Sequence, residues 1–153
     1  RQAVPAPMVL GIRVSASDWA DGGWNVQETI DLAHQLKQMG CDFIDVSSGG
    51  VSSAQKIALG PSYQVPMAKA IKQAVGMPTM AVGLITQAQQ AEDILQAGDA
   101  DMIALARGML YDPRWGWHAA AALGATVEAP PQYWRCQPRE LKHLFDSATT
   151  GQR

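Results

Sequence analysis

Cysteine is scarce in this chain: its 153 residues contain only Cys41 and Cys136, far apart and outside any C-x-x-C or Cys/His spacing. That excludes a disulfide framework and a zinc ribbon, and a reduced, cytoplasmic setting is expected. Basic charge is not in excess either. Twelve Lys and Arg against fourteen Asp and Glu give a net charge of −2 with scattered signs, so there is no basic stripe for nucleic acid. No apolar run approaches the roughly 20 residues needed to cross a bilayer, and no membrane partner is expected. His34, His118 and His143 form no H-x-x-H or H-x-x-N arrangement and are read as surface or structurally satisfied histidines, with no metal site. The chain opens at Arg1 without an initiator methionine or the basic and apolar regions of a signal peptide, and a fragment, a processed product or an engineered piece is expected.

What is present is an ordinary globular composition, 47% hydrophobic and 17% charged, enough to bury one core, and a single domain over 1–153 is expected. Residues 9 to 16, "VLGIRVSA", read as a strand between Pro7 and the polar loop "SDWADGGW". A helix follows: Asn25 and Glu28 form a capping box, Val26, Ile30, Ala33 and Leu36 recur at helical spacing, and Gly40 ends the run. The unit repeats. Strand "DFIDVSS" (42 to 48) leads through Gly49 and Gly50 to helix "VPMAKAIKQAVG". Strand "PTMAVG" leads to a helix capped by Thr86 and Gln89 and closed by Gly98. Strand "DMIALAR" leads to "PRWGWHAAAALG", with Asp112 as cap and Pro113 as first helical residue.

Four strand–helix units without a hairpin signal predict a parallel sheet with flanking helices, because each return crossover between parallel strands needs a helix. The short, nearly continuous apolar strands suit burial on both faces. Arg13, Ser47, Gly83 and Arg107 then gather at the C-terminal ends of the strands, the rim where parallel α/β folds bind ligands. Arg107 ends an apolar run. On that residue alone, an anion ligand and a capped carboxylate in a neighbouring loop are equally good explanations. "AVGLIT" favours the anion: Gly83 permits close backbone approach and Gly108 follows Arg107, so two rim loops can offer N–H groups to one anion.

Taken together, "GIRVSASDW", "IDVSSGG", "AVGLIT", "ALARGMLYDPRW" and "PPQYWR" resemble the flavin-dependent ene-reductases of the Old Yellow Enzyme family, nearest the bacterial branch called thermophilic-like. The resemblance covers nearly the whole chain. It implies a (β/α)8 TIM barrel that holds FMN at its C-terminal rim, takes hydride from NADPH or NADH, and passes it to the β-carbon of an activated alkene. Four units are present where a barrel needs eight, and the resemblance places them as strands five to eight, the C-terminal half.

Carried over by motif, Arg13 corresponds to the arginine near the flavin N1 and C2 carbonyl, with a strand-end ion pair as the plainer alternative. Ser47 and Gly49 correspond to the loop beside the ribityl chain, and the doubled Ser47-Ser48 leaves a one-residue ambiguity. Gly83, Leu84, Ala106 and Arg107 correspond to the phosphate loops; Ala106 stands where the family usually has Gly, a change that keeps the backbone donor. The segment 125–153 is implied to be a C-terminal tail that reaches a neighbouring subunit, with Arg135 as the reaching cation and Tyr133 or Trp134 as a substrate wall. A loosely packed tail is the alternative. Trp115 and Trp117 are read as packing residues, whereas Trp19 and Trp24 suit either the barrel mouth or core packing.

The family's carbonyl-binding pair and proton-donating tyrosine belong to the other half of the barrel, and none of Tyr63, Tyr111 and Tyr133 matches the donor. Two open strand edges, and apolar side chains among Ile12, Ile44, Val82 and Leu105 that face inward, call for a partner. The first expectation is a complementary N-terminal half-barrel chain, the second a homo-oligomer of half-barrels. A non-catalytic flavin- or phosphate-binding module is the alternative function.

Overall fold

Parallel strands cannot be joined by a tight turn, so every return in this chain passes through a helix. The computed structural model describes residues 1–145, so the 146–153 part of the expected tail lies outside the described residues. The strands β1 (Gly11–Ser15), β2 (Phe43–Ser47), β3 (Thr79–Ala81) and β4 (Met102–Ile103) form one parallel sheet in the order β1-β2-β3-β4. The helices α1 (Val26–Gln38), α2 (Val65–Val75) and α3 (Ala88–Gln96) separate them, and α4 (Arg107–Tyr111), α5 (Trp115–Ala122) and a 3-10 turn at Pro131–Cys136 follow. The strand order never reverses, so the sheet lacks the switch point of a doubly wound fold. Among the described residues, no helix is long and apolar enough to cross a membrane.

The helix ends follow their local chemistry. Asn25 Oδ1 accepts from the Gln27 and Glu28 N–H groups at 2.9 and 3.2 Å, and the Glu28 carboxylate accepts from the Asn25 N–H at 2.9 Å, the predicted capping box. Pro66 lies in the first turn of α2, and Gly76 closes it in the left-handed conformation at φ 61°. At α3 the side chain that reaches back to the Thr86 N–H is Gln90, at 2.9 Å, one position beyond the expected Gln89.

Alternation along β2 separates two environments. Ile44 and Val46 are fully buried on the side covered by α1 and α2, together with Ala81, Ala33, Ala68 and Ile71. Each isoleucine contributes about 2–3 kcal/mol by leaving water. Phe43, Asp45 and Ser47 therefore point to the opposite face. Register pairs Ile12 with Ile44, so neither is an inward-facing residue of the open face; both belong to the helix side, where Ile12, on the edge strand, stays 36% exposed.

Two expected boundaries are corrected. The fourth strand is only Met102–Ile103, and Arg107 does not end it but begins α4. The reason is loss of a partner: β3 stops at Ala81, the Ala104 N–H makes its bond to the Ala81 carbonyl, and Gly83 and Leu84 turn their strand away at φ 115° and 50°. The last helix starts at Trp115 rather than Pro113. Asp112 forms a turn instead, its carbonyl accepting from the Trp115 N–H and its carboxylate from the Arg114 N–H.

By contact, the chain divides into two compact units. One comprises Arg1–Ile85 with Ala91–Leu105 and holds the whole sheet; the other, among the described residues, comprises Thr86–Gln90 and 106–145. The second has its own small core of Ala129, Leu144 and Phe145, packed against Trp117, Val127, Trp134 and Leu141. The described part of the tail is thus packed onto α5, and Trp117 is a packing residue as expected.

In the first unit, burial raises the Asp101 pKa, but the Thr79 N–H and the Lys72 ammonium outweigh it, so the carboxyl titrates below its ordinary value. A folded-state pKa below the unfolded one stabilises the fold at pH above the unfolded value, and that stabilisation is lost as pH falls through the folded one. Urea midpoints measured from pH 7 downward should therefore fall below about pH 4. Asp101→Asn should start lower at pH 7 and show a shallower acid decline.

Candidate functional site

The open face of the sheet brings a cation and a carboxylate together. Arg13, third residue of β1, lies in register with Asp45 of β2, and its Nη1 donates to Asp45 Oδ2 at 2.8 Å. The ion pair that the sequence offered as the plainer explanation of Arg13 is thus present. It uses one of five guanidinium N–H groups, and the Arg13 side chain is 54% exposed, so donors remain for a ligand. Asp45 Oδ1 is buried and has no hydrogen-bond partner among the described residues. A buried carboxylate oxygen without a donor is costly, and this one lies beside Arg13 on the open face. Ser15 and Ser47 are register partners two residues further along the same face.

Beyond the strand ends the backbone turns sharply. Gly49 and Gly50 have φ of 72° and 85°, and Gly83 has φ 115°. A Cβ on Gly83 would stand 2.6 Å from Gln64 Nε2 and 3.0 Å from Tyr63 Cε1, so only glycine fits. Leu84 follows at φ 50°, a conformation that costs a non-glycine residue about 1 kcal/mol or more and that persists where the surroundings impose it. The turns after β1 and β2 are laced together: the Gly49 N–H donates to the Ser17 carbonyl at 2.8 Å, and the Ser15 hydroxyl to the Gly49 carbonyl at 3.1 Å.

The two adjacent serines differ in position. Ser47 ends β2 on the Arg13 face, whereas the Ser48 hydroxyl accepts from the Trp19 indole N–H at 2.8 Å and donates to Gln64 Oε1 at 2.6 Å. Trp19 is therefore a packing and hydrogen-bonding residue of the rim, its ring 6.4 Å from that of Tyr63, and the Trp24 indole donates to buried Thr29 at 2.6 Å.

Ala106, Arg107, Tyr133, Trp134 and Arg135 belong to the second unit. Arg107 is exposed at the first position of α4, directly after Ala106. In the 3-10 turn, Arg135 is exposed and the Trp134 indole donates to the Ala129 carbonyl at 2.8 Å. Tyr133 meets Trp117 edge-on at 5.5 Å, and the Arg114 guanidinium lies 4.4 and 4.3 Å from those two ring centres. Asp45, Gln64 and Arg114 were not singled out from the sequence. Asp45 was legible, since the alternation in "FIDVS" puts it on the same face as Ser47; Gln64, in the loop before a helix, carried no signal of burial.

The family model described as NADH:flavin oxidoreductase / NADH oxidase matches residues 1–124. That family's cofactors, FMN with NADPH or NADH, agree with those the resemblance implies. The chain is similar to an NADPH dehydrogenase of Geobacillus thermodenitrificans (strain NG80-2), 45% identical over 126 residues that make up 82% of this chain and 37% of that protein. It is 47% identical over 126 residues, with the same two shares, to an NADPH dehydrogenase of Halalkalibacterium halodurans. It is 44% identical over 124 residues to one of Listeria innocua, 81% of this chain and 36% of that protein. The chain thus spans little more than a third of the length of these curated relatives.

The tightness of the β3 turn is directly testable. Gly83→Ala forces a Cβ against Gln64 in a conformation that disfavours any side chain, and should destabilise the protein by about 2 kcal/mol or more. A denaturant midpoint indistinguishable from that of the unmodified chain would contradict this packing.

Proposed function

This chain belongs to the NADH:flavin oxidoreductase / NADH oxidase family, and from that premise we propose that it is the FMN-binding, C-terminal half of an NAD(P)H-dependent ene-reductase. In this reading its four strands are strands five to eight of a (β/α)8 barrel, and the substrates are activated alkenes such as enones. The observation that carries it is Arg13 on the open face of a parallel sheet, with spare donors, in a sheet whose strands β2 and β3 end in glycine turns.

FMN fits these residues. An exposed guanidinium next to a buried, unpaired carboxylate oxygen suits the polar edge of an isoalloxazine ring, and positive-φ turns suit a ribityl phosphate. The chemistry that bound FMN supplies is hydride transfer, from NADPH or NADH and onward to the alkene β-carbon. Arg13 would offer a fixed cation to the polar edge of the ring, a charge that needs no reorganisation. Ser47 and Gly49 line the ribityl chain. Gly83 and Leu84 would hold the phosphate, a role that the family resemblance also implies for Ala106 and Arg107. Arg135, with Tyr133 or Trp134, serves the active site of a neighbouring subunit.

A partner is part of this reading. Among the described residues β1 pairs only with β2 and β4 only with β3, so both sheet edges are open, and Met8, Val9 and Ile12 near the β1 edge are exposed. A complementary N-terminal half-barrel supplies the missing strands; a homo-oligomer is the second arrangement. Two free cysteines suit a reducing cytoplasm.

The test is complementation. The 16.4 kDa chain alone should be self-associated in sedimentation and should not consume cyclohexenone with NADPH. Mixing with the complementary half should bring flavin binding and enone loss together. Enone reduction by an unaided monomer would overturn the half-barrel reading, and flavin binding without enone loss after complementation would favour the non-catalytic module.

A further inference from the structure

Gln64 is almost completely buried, at 3% exposure, yet it carries an amide that an aliphatic side chain of the same size could replace as filling. Both ends of that amide are bonded. Oε1 accepts from the Ser48 hydroxyl at 2.6 Å, and Nε2 donates to the Val82 carbonyl at 3.0 Å. The Ser48 oxygen in turn accepts from the Trp19 indole N–H at 2.8 Å. The order of donors is determined by chemistry: an indole N–H can only donate, and a reversed amide would set its oxygen against the Val82 carbonyl oxygen. A directed chain therefore runs from Trp19 through Ser48 and Gln64 to Val82. It ties the loop after β1 to the ends of β2 and β3, one residue before Gly49 and one before Gly83. The same amide closes over Gly83, whose Cα leaves no room for a Cβ.

We propose that Gln64 is a positioning residue for the cofactor phosphate: it fixes the β3 turn against the β2 turn, so that the Gly83-Leu84 backbone is held ready before the ligand arrives. This rests on the flavin reading above. Fully satisfied buried networks rigidify what they connect, and a rigid site loses less entropy on binding. Gln64 touches no reacting group in this account. Its effect is confined to the phosphate end, so its loss lowers affinity for FMN more than affinity for riboflavin, which has the same ring and ribityl chain without phosphate.

The experiment uses the chain assembled with its complementary half and titrates FMN and riboflavin by fluorescence quenching. Gln64→Met keeps the volume and removes both bonds; it should lower the ratio of FMN to riboflavin affinity about tenfold, the scale of one lost buried hydrogen bond. Ser48→Ala, at a half-buried position, should lower the ratio in the same direction by less. Gln64→Glu at pH 8 keeps the acceptor for Ser48 and loses the donor to Val82, and should resemble Gln64→Met. An unchanged ratio, or equal losses for both ligands, overturns the proposal and leaves Gln64 a scaffold residue. If Gln64→Met does not assemble, the ratio for Ser48→Ala decides. An unmodified assembly that binds neither ligand overturns the flavin reading itself, a result distinct from a binding-competent assembly whose variants show no change.

Discussion

Parallel pairing of β2 between β1 and β3 is the constraint on which the rest of this structure depends. Strands that run the same way cannot be connected by hairpins, so α1 and α2 must return the chain, and their apolar sides find cover only on the sheet face that carries Ile44, Val46 and Ala81. The same geometry forces every strand to end at one rim. Ser47 and Gly49 lie at the same rim as Gly83 and Leu84 because β2 and β3 run in one direction and stop together, and Arg13 lies on the face that α1 and α2 leave uncovered.

That uncovered face has a polar character that a closed hydrophobic core would not tolerate. Arg13 and Asp45 satisfy each other in part, and the second carboxylate oxygen of Asp45 is left buried without a donor. Thr79 Oγ1, elsewhere in the sheet unit, is likewise buried without a partner among the described residues, while other buried polar groups are bonded. Thr29 bonds to the Ala16 carbonyl and to Trp24, and Gln64 is bonded at both ends of its amide. Ser48 and Gln64 are thus bonded into a network at the strand ends, whereas Arg13 keeps spare donors beside an unpartnered oxygen of Asp45.

Much of this was legible in the sequence because the signals are local. The Asn25-Glu28 capping box and the closing Gly76 each act within a few residues and appear as expected, whereas β2, read as a nearly continuous apolar run, alternates between a buried and an open face. The failures are non-local. "DMIALAR" has the composition of a strand through Arg107, but a strand lasts only as long as its neighbour, and β3 has turned away by Gly83. The burial of Gln64 depends on Ser48, 16 positions earlier, and Val82, 18 positions later, and no pattern around Gln64 announces either. The two serines of "VSSGG" could be told apart only once the register showed which one shares a face with Arg13.

The central claim is that the rim formed by the ends of β2 and β3 holds a flavin. Amide hydrogen exchange of the assembled protein with and without FMN tests it most directly, because it reports where on the chain the ligand lies without depending on turnover. The account predicts slowed exchange at residues 47–50 and 82–85, with α1 unchanged. Bound flavin that leaves both turns exchanging as before, and slows exchange elsewhere, would contradict it.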